Sequence, residues 1–277
     1  MENIVTKDDG SQELFNEEKI RHSMSNAGAD KTSIERAINN IRKNLTEFMP
    51  SGKIYSIAVK TLKKHEPITA IKYTLKRSMM DLGPDGFVFE RYFAKVLAEH
   101  GYRTSVGTYV NGFCVDHEVD IIAEKNSSHI MIECKYHNNP GSKSDIQVAL
   151  YVNARYQDLK KGSQAGRSNY DFTEGWLATN TRCSSQAIKY AGCSGLGIVA
   201  WHYPHDKNLE YYIESKKIYP VSILPDLRPH QKMELFRKEI YTIQGLLENT
   251  PEAIMGYLDI SREVTDKLFS DAAMLFS

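Results

Sequence analysis

The stretch Val115-Asp-His-Glu-Val-Asp-Ile-Ile-Ala-Glu-Lys-Asn-Ser-Ser-His-Ile-Met-Ile-Glu-Cys-Lys135 contains two apolar, β-branched runs separated by turn-forming residues. This pattern predicts two antiparallel strands joined by a tight turn at Asn126-Ser127. If the residues that flank the turn pair directly, Asp120 lies opposite Glu133. Facing carboxylates with Cβ atoms about 5 Å apart repel each other, so such a pair favours a shared proton or a bound cation. The stretch therefore predicts a hairpin that holds a divalent metal ion.

A lysine joins the two acids on the same face of this hairpin. Lys135 follows Glu133 by two positions, and side chains spaced in this way point to one side of a strand. A cross-strand ion pair between Glu118 and Lys135 is the alternative role for the lysine, and such a pair contributes little stability. One additional residue in the turn would place Asp120 opposite Cys134 instead, so the strand register decides whether the site exists.

The acids and the lysine resemble a known nuclease motif. Asp120 followed by Glu133-Cys134-Lys135 resembles the PD-(D/E)xK motif in the form found in Mrr-like restriction endonucleases. Residues 89–102 resemble the helix that opens this fold, and Ser144-Asp-Ile-Gln147 resembles the start of the helix that follows the motif. Val119 stands where the family usually has the proline that names the motif.

The resemblance implies metal-assisted hydrolysis of phosphodiester bonds in DNA, with Mg²⁺ or Mn²⁺ as the cofactor. In this family the metal polarises a phosphate oxygen and activates a water molecule, while the lysine stabilises developing negative charge. The implied residues are the metal ligands Asp120, Glu133 and, through its backbone carbonyl, Cys134, together with the catalytic Lys135, the accessory acid Glu90 and the orienting Gln147.

The beginning of the chain predicts a hairpin followed by four helices. Asp9-Gly10 between two short strand-like runs is a strong hairpin signal, and Asn16 is a good N-cap for the first helix. Gly83-Pro84-Asp85-Gly86 ends the segment and predicts a domain boundary. Apolar residues at helical spacing predict helices over residues 17–27, 32–45, 53–65 and 69–82.

This segment resembles an ATP cone, the nucleotide-sensing module at the N-terminus of ribonucleotide reductases. The resemblance implies that Val5 contacts the base of ATP or dATP and that Lys7 and Lys19 meet its phosphates. Asp8 stands where the family commonly has a basic residue, which removes one phosphate partner. A small helical domain with a solvated hairpin is the alternative. The residues that carry the resemblance are Val5-x-Lys7-x-Asp9-Gly10, Glu13-x-Phe15-Asn16-x-x-Lys19-Ile20 and Ala70-x-x-Tyr73-x-x-x-Arg77.

Between residues 86 and 201, helical and strand patterns alternate, which predicts a mixed sheet with helices on both faces. A helix is predicted over residues 144–159, and a mobile glycine-containing loop over 161–169. Residues 209–213 and 218–223 are interpreted as edge strands or extended loop. Pro229 is predicted to start a long helix that runs to Leu247. The tail after it predicts a helical cap, with a DNA-gripping helical hairpin as the alternative.

Length and composition set limits on the class of protein. The chain has 277 residues, of which 41% are hydrophobic, enough for one large or two ordinary domains. No apolar run approaches the ~20 residues that span a bilayer, and no leader peptide is evident, so we expect a soluble cytoplasmic protein without a membrane partner. Four cysteines without a CxxC pair argue against a zinc ribbon or a disulfide framework. Basic and acidic residues balance at 35 each, so any DNA-binding surface must be local.

The sequence thus predicts an α/β (α+β) fold in three parts. These are an ATP-cone domain over residues 1–83, a restriction-endonuclease-like domain over 84–225 and a helical region over 226–277. The predicted function is a nucleotide-regulated, metal-dependent DNA endonuclease of the restriction or defence type. A catalytically silent DNA-binding or nucleotide-sensing protein on a nuclease fold is the alternative. The ATP-cone resemblance also implies a homo-oligomer.

Overall fold

The structure is a computed structural model that describes residues 3–7 and 10–276. It combines N-terminal strands and helices, a five-stranded mixed sheet and a helical C-terminal region. The α/β class predicted from the sequence is confirmed. Within the described residues, no helix is long and apolar enough to cross a membrane.

The N-terminal part builds a three-stranded sheet against helices around one hydrophobic cluster. Its hairpin joins β1 (Ile4–Thr6) to the antiparallel β2 (Gln12–Leu14), and the tip residues Asp8 and Asp9 lie outside the described residues. A third strand, β3 (Met49–Pro50), pairs parallel to β1 and was not predicted. The helices are α1 (Glu17–Asn26), α2 (Lys31–Asn44), α3 (Ser51–His65), α4 (Pro67–Tyr73) and α5 (Leu75–Ser78).

The continuous helix predicted over residues 69–82 is wrong. The chain leaves regular α-helix at Thr74, whose backbone N–H donates to the carbonyl of Ile71 at 2.9 Å and whose hydroxyl donates to the same oxygen at 2.7 Å. A threonine hydroxyl bonded in this way competes with the regular helical pattern. Helix α5 and a 3-10 turn over Met79–Asp81 follow. The first predicted cap is confirmed, because Asn16 accepts the backbone N–H of Lys19 at 3.2 Å.

The middle of the chain forms a five-stranded mixed sheet and a separate two-stranded parallel pair. The predicted mixed sheet is confirmed. Strands of the larger sheet are β4 (Arg103–Asn111), β5 (Asp116–Lys125), β6 (Ser128–Lys135), β8 (Phe172–Thr179) and β10 (Gly197–Val199), and the small pair is β7 (Lys143–Ser144) with β9 (Arg182–Cys183).

In the larger sheet the strand order is β10-β8-β6-β5-β4. Strands β4, β5 and β6 are antiparallel neighbours, whereas β6, β8 and β10 run parallel. Lys125 pairs with Ser128 across the turn, and Ile121 pairs with Ile132. The predicted register of the hairpin is therefore confirmed.

Helices cover both faces of the larger sheet. Ile121 and Ile132 join a cluster with the preceding helix and the C-terminal helices, while Ile122 and Met131 pack against the two helices of the opposite face. The predicted burial of both strand faces is therefore confirmed. The remaining helices are α6 (Phe87–Glu99), α7 (Ile146–Gln164), α8 (Ser185–Ser194), α9 (Leu209–Glu214), α10 (Pro229–Arg237), α11 (Ile243–Leu247), α12 (Pro251–Leu258) and α13 (Arg262–Met274).

Two predictions for the C-terminal third are wrong. Residues 209–213 belong to helix α9, so that segment is neither a strand nor an extended loop. Over 218–223 the strand interpretation is wrong, because Val221–Ile223 form a 3-10 turn, while residues 218–220 lie outside any helix or named strand, as in the loop alternative. The predicted long helix ends at Arg237, because Glu239 adopts a left-handed backbone with φ of 59° and Ile240 donates its N–H back to Leu235. This turn buries Ile240 in the cluster shared with α6 and the central sheet. Tertiary packing overrides the helical pattern there.

Candidate active site

The hairpin of β5 and β6 places two acids side by side. Continuing the register of Ile121 and Ile132 by one step sets Asp120 beside Glu133. Asp120 Oδ2 accepts the backbone N–H of Cys134 at 2.7 Å, which fixes the carboxylate next to the strand that carries Glu133. On the other side of Asp120, the β4 register places Gly107, whose left-handed φ of 61° favours glycine.

Burial and the charges of neighbouring acids raise the pKa values of these two carboxyl groups. Burial raises the pKa of Asp120, and the hydrogen bond from Cys134 offsets part of the effect. Burial, followed by the charge of Asp120, raises the pKa of Glu133 to about 7. Glu90 of α6 has its pKa raised to about 7 by burial and then by the charges of Asp120 and Glu133. Acids that disfavour one another's ionisation are typical of a site that gains from a bound cation.

We expect the raised pKa of Glu90 to appear in the pH dependence of stability. In the folded state its pKa of about 7 exceeds the ordinary value of 4.5, so folding favours the protonated acid. The contribution of Glu90 to the stability of the metal-free protein should therefore be largest below about pH 4.5. This contribution should fall as the pH rises towards about 7. In Glu90→Gln this fall should be smaller by an amount on the order of 1 kcal/mol, measured by urea unfolding in EDTA between pH 5 and pH 8.

Glu99→Gln is the matched control, because Glu99 is exposed in the last turn of the same helix. Its stability should follow the wild-type curve. Identical pH dependence in wild type and Glu90→Gln would contradict the assigned cause.

Arg155 of α7 reaches into the site and was not predicted. Its guanidinium forms an ion pair with Glu133 and also donates to the backbone carbonyl of Glu118. Both charged side chains are mostly buried, at 11% exposure for Arg155 and 16% for Glu133. Helical spacing in the sequence could have predicted its position. Gln147, Tyr151 and Arg155 follow one another at (i, i+4) steps, so they lie along one side of α7.

Lys135 ends β6 with an exposed side chain. Glu118 does not pair with it, since the Glu118 carboxylate accepts the hydroxyl of Tyr109 at 3.0 Å. Among the described ion pairs none involves Lys135, so the cross-strand alternative is wrong. Gln147 lies exposed in the first turn of α7, and its orienting role stays a prediction.

The turn between β4 and β5 is fastened to α7 by Asp158. Its carboxylate accepts the backbone N–H groups of Cys114 at 2.9 Å and Val115 at 3.3 Å, and lies 2.8 Å from His117 Nε2. Burial alone would raise the pKa of Asp158, but the hydrogen bonds from His117 and Cys114 lower it to about 2. The hairpin that carries Asp120 is thereby held against the helix that carries Arg155.

The helix predicted to end at residue 159 continues to Gln164, so the mobile loop predicted over 161–169 is wrong in its first part. Gly162 lies inside α7 and is buried. A Cβ atom there would lie 2.6 Å from the carbonyl carbon of Gly112 in the β4–β5 turn. After the helix, the Arg167 guanidinium donates to the carbonyl of Phe113 and stacks on its ring at 4.8 Å.

The oxygen donors at Asp120 and Glu133 fit a hard divalent cation such as Mg²⁺. Their burial and raised pKa values give a bound cation a clear electrostatic advantage. Within residues 3–7 and 10–276, no three His, Cys, Asp or Glu side chains are grouped as a metal site. A metal here would accordingly need a backbone oxygen as well, and it would compete with Arg155 for Glu133.

The residues predicted to bind nucleotide divide into two sets. Lys7 and Lys19 line a cavity of about 680 Å³ between the N-terminal part and the larger domain. Both ammonium groups contact one carboxylate oxygen of Glu13, at 2.8 Å from Lys7 and 3.1 Å from Lys19. Val5 is 3% exposed and belongs to the N-terminal core, and it does not line the cavity.

The restriction endonuclease family Mrr_cat matches residues 83–205, the span that contains the acids, the lysine and Arg155. These residues form a restriction endonuclease domain of this family. An uncharacterised protein of Archaeoglobus fulgidus is 40% identical over 131 residues, which cover 47% of this chain and 70% of that protein. The family assignment thus rests on the same part of the chain that forms the five-stranded sheet.

Several solved structures are similar to this chain. The crystal structure of the protein of unknown function AF1548 is 31% identical, with a TM-score of 0.57, and covers 69% of this chain and 98% of that one. The MspJI restriction endonuclease in complex with a 27-mer oligonucleotide is 14% identical, with a TM-score of 0.36 over 72% of this chain and 39% of that one. The second likeness is too low to bear on function.

Proposed function

We propose that this chain is a metal-dependent endonuclease that hydrolyses phosphodiester bonds in DNA. One observation carries the proposal. Within a domain of the restriction endonuclease family, Asp120 and Glu133 lie side by side, and Lys135 stands exposed on the same face. Two acids and a free ammonium group are the side chains that metal-assisted phosphodiester hydrolysis uses.

Asp120, Glu133 and the backbone carbonyl of Cys134 would hold Mg²⁺ or Mn²⁺, which when bound supplies a Lewis acid and lowers the pKa of water. Lys135 offers its ammonium group to the negative charge that develops on the scissile phosphate. Glu90, whose pKa is raised to about 7, would accept a proton as a general base or serve as a further ligand of the metal ion. In this proposal Gln147 orients the water or the lysine from the start of α7.

The ion pair between Arg155 and Glu133 supplies a way to couple binding and chemistry. If Glu133 held a metal ion, the guanidinium of Arg155 would lose its carboxylate partner. A planar guanidinium is well matched to a phosphate group. We propose that Arg155 then contacts the DNA backbone beside the cleaved bond.

An exposed apolar surface lies at the β4–β5 turn and the neighbouring ridge of α7. We name it the β4–β5 surface; its residues are Tyr109, Phe113, Val115 and Tyr151. Two of its aromatic rings lie beside an arginine. The guanidinium carbon of Arg167 lies 4.8 Å from the ring centroid of Phe113, and that of Arg155 lies 5.4 Å from the ring centroid of Tyr151. Aromatic faces beside guanidinium groups suit stacking on bases and contact with phosphates. This surface is the proposed local DNA contact of a chain whose formal net charge is zero.

We further propose that an adenine nucleotide, ATP or dATP, regulates the nuclease from the N-terminal part. The ATP-cone resemblance supports this proposal, as does the position of Lys7 and Lys19 on one cavity. The division into domains at residues 83 and 225 and a homo-oligomeric state belong to the same proposal.

A second function has one observation in its favour. Arg155 occupies Glu133, and a guanidinium in this position opposes metal binding by that carboxylate. A chain in which this ion pair persists would bind DNA through the same fold without cutting it. This is the catalytically silent alternative.

Cleavage of supercoiled plasmid separates the two functions. With Mg²⁺ or Mn²⁺ the wild type should nick or linearise the plasmid, and EDTA should stop the reaction. Asp120→Asn should lower the rate by on the order of 10²-fold or more, because it removes a metal ligand. Asp116→Asn is the matched control from the same strand, since Asp116 bonds to Asn111 at the turn. Plasmid binding without cleavage under every metal condition would favour the silent alternative.

A further inference from the structure

The cavity that contains Lys7 and Lys19 is also lined by the restriction endonuclease domain. Its volume of about 680 Å³ lies within the range of small-molecule sites. The N-terminal part contributes lysines from the hairpin and from α1, while the larger domain contributes Pro140, Gly141 and Arg182. A ligand in this cavity would therefore touch both parts of the chain at once.

The charges around the cavity favour an anion with several phosphates. Five lysine or arginine residues face three glutamates among the described lining residues. Glu13 is shared by two of the lysines, and Glu214 accepts the hydroxyl of Tyr219 at 2.8 Å. Burial raises the pKa of Glu214. The five basic residues are Lys7, Lys19, Lys72, Lys76 and Arg182.

The position of the Glu13 carboxylate, between Lys7 and Lys19, indicates where the first phosphate would bind. This carboxylate lies between two ammonium groups, and the hydrogen bond from Lys7 is the main cause that lowers its pKa. A phosphate carries the same charge type with more acceptor oxygens, so it can replace this carboxylate between the lysines. Arg182, on the other wall, offers the planar fork that suits a second phosphate.

Arg182 also contacts the segment that leaves the motif strand. Its guanidinium donates to the carbonyl of Gly141 at 3.5 Å, and its backbone pairs with Lys143 in the β7–β9 ladder. The same segment is held at its start by Asn180, whose side chain accepts the N–H of His137 at 2.9 Å. The segment between Lys135 and β7 is thus attached at several points to the wall that carries Arg182.

We propose that a nucleoside triphosphate in this cavity is bound jointly by Lys7 and Lys19 and by Arg182, and that its occupancy orders the segment of residues 137–144 beside the motif lysine. The inference rests on the proposed nucleotide regulation and adds the residue that transmits it. A guanidinium carries five N–H donors, so Arg182 can bind a phosphate and keep its hydrogen bond to the Gly141 carbonyl. An Arg182 side chain fixed by the phosphate then restrains the loop that follows Lys135, and in this way binding is converted to regulation.

Two measurements on the full chain test the inference, both in the presence of Mg²⁺. Calorimetry measures the affinity for ATP, and amide hydrogen exchange is compared with and without ATP. ATP should slow exchange within residues 137–144, and AMP should not, because it lacks the second phosphate. Arg182→Ala should weaken ATP binding at least tenfold and remove the protection of the segment. Arg36→Ala, an exposed arginine that does not line the cavity, should leave both unchanged.

Three outcomes would overturn the inference. They are ATP binding without slower exchange in the wild type, wild-type affinity in Arg182→Ala, or equal protection by AMP and ATP. The wild-type exchange pattern decides the matter even if Arg182→Ala folds poorly. No DNA is present, so loss of plasmid cleavage in the separate assay bears on the nuclease and not on this site.

Discussion

Replacing Lys135 with methionine is expected to abolish DNA cleavage while leaving the fold intact. The methionine keeps the length of the side chain and removes its charge. Lys135 is exposed at the end of β6 and belongs to none of the described ion pairs, so its loss removes no structural contact of that kind. A positive charge aimed at a developing anion typically contributes 10²–10³-fold or more to a rate.

Single-turnover cleavage of a labelled duplex measures this effect, and thermal unfolding monitors the fold. Lys95→Met is the matched control, because Lys95 is exposed on α6 outside the predicted site. It should cut at the wild-type rate. A Lys135→Met protein that still cleaves at more than about one tenth of that rate would refute the catalytic assignment.

Two glycine substitutions inside helices should change stability in opposite directions. At Gly162 a Cβ atom would lie 2.6 Å from the backbone of Gly112, and neither backbone can move without displacing the turn fastened by Asp158. Gly162→Ala should therefore destabilise the protein by about 2 kcal/mol or more. Nothing lies within 4 Å of a Cβ at Gly192 in α8, so Gly192→Ala should stabilise by about 0.5–1 kcal/mol.

Urea unfolding at one pH measures both changes. Because the substitution is the same and both positions are helical, the difference isolates the close approach of α7 to the β4–β5 turn. Gly162→Ala should also weaken plasmid cleavage, since the contact aligns the helix of Arg155 with the hairpin of Asp120. Equal changes of stability in the two variants would show that this contact does not hold the site together.

Much of the fold and the two acids could be predicted because their signals are local. Asn126 and Ser127 both adopt left-handed backbone, with φ of 49° and 64°, which is typical of the two-residue turn that fixes a hairpin register. Once the register is set, alternation along β5 and β6 determines that Asp120 and Glu133 are neighbours. The mixed α/β class follows from helix and strand periodicity in the same way.

Helix boundaries were less predictable where a distant contact decided them. The helix predicted from Pro229 ends at Arg237, where Ile240 enters the shared core. Helix α7 runs beyond its predicted end because Gly162 fits against the β4–β5 turn. Periodicity describes one face of one segment and carries no information about the partner that packs on it.

The sequence by itself determined the hairpin, its register and the pair of acids with the lysine, since each depends on residues within one short turn and two strands. Only the tertiary structure decided that Arg155 binds Glu133 and that Arg182 shares a cavity with Lys7. It also decided that burial raises the pKa of Glu133 to about 7. These features join segments far apart along the chain, and their approach depends on how the whole core packs.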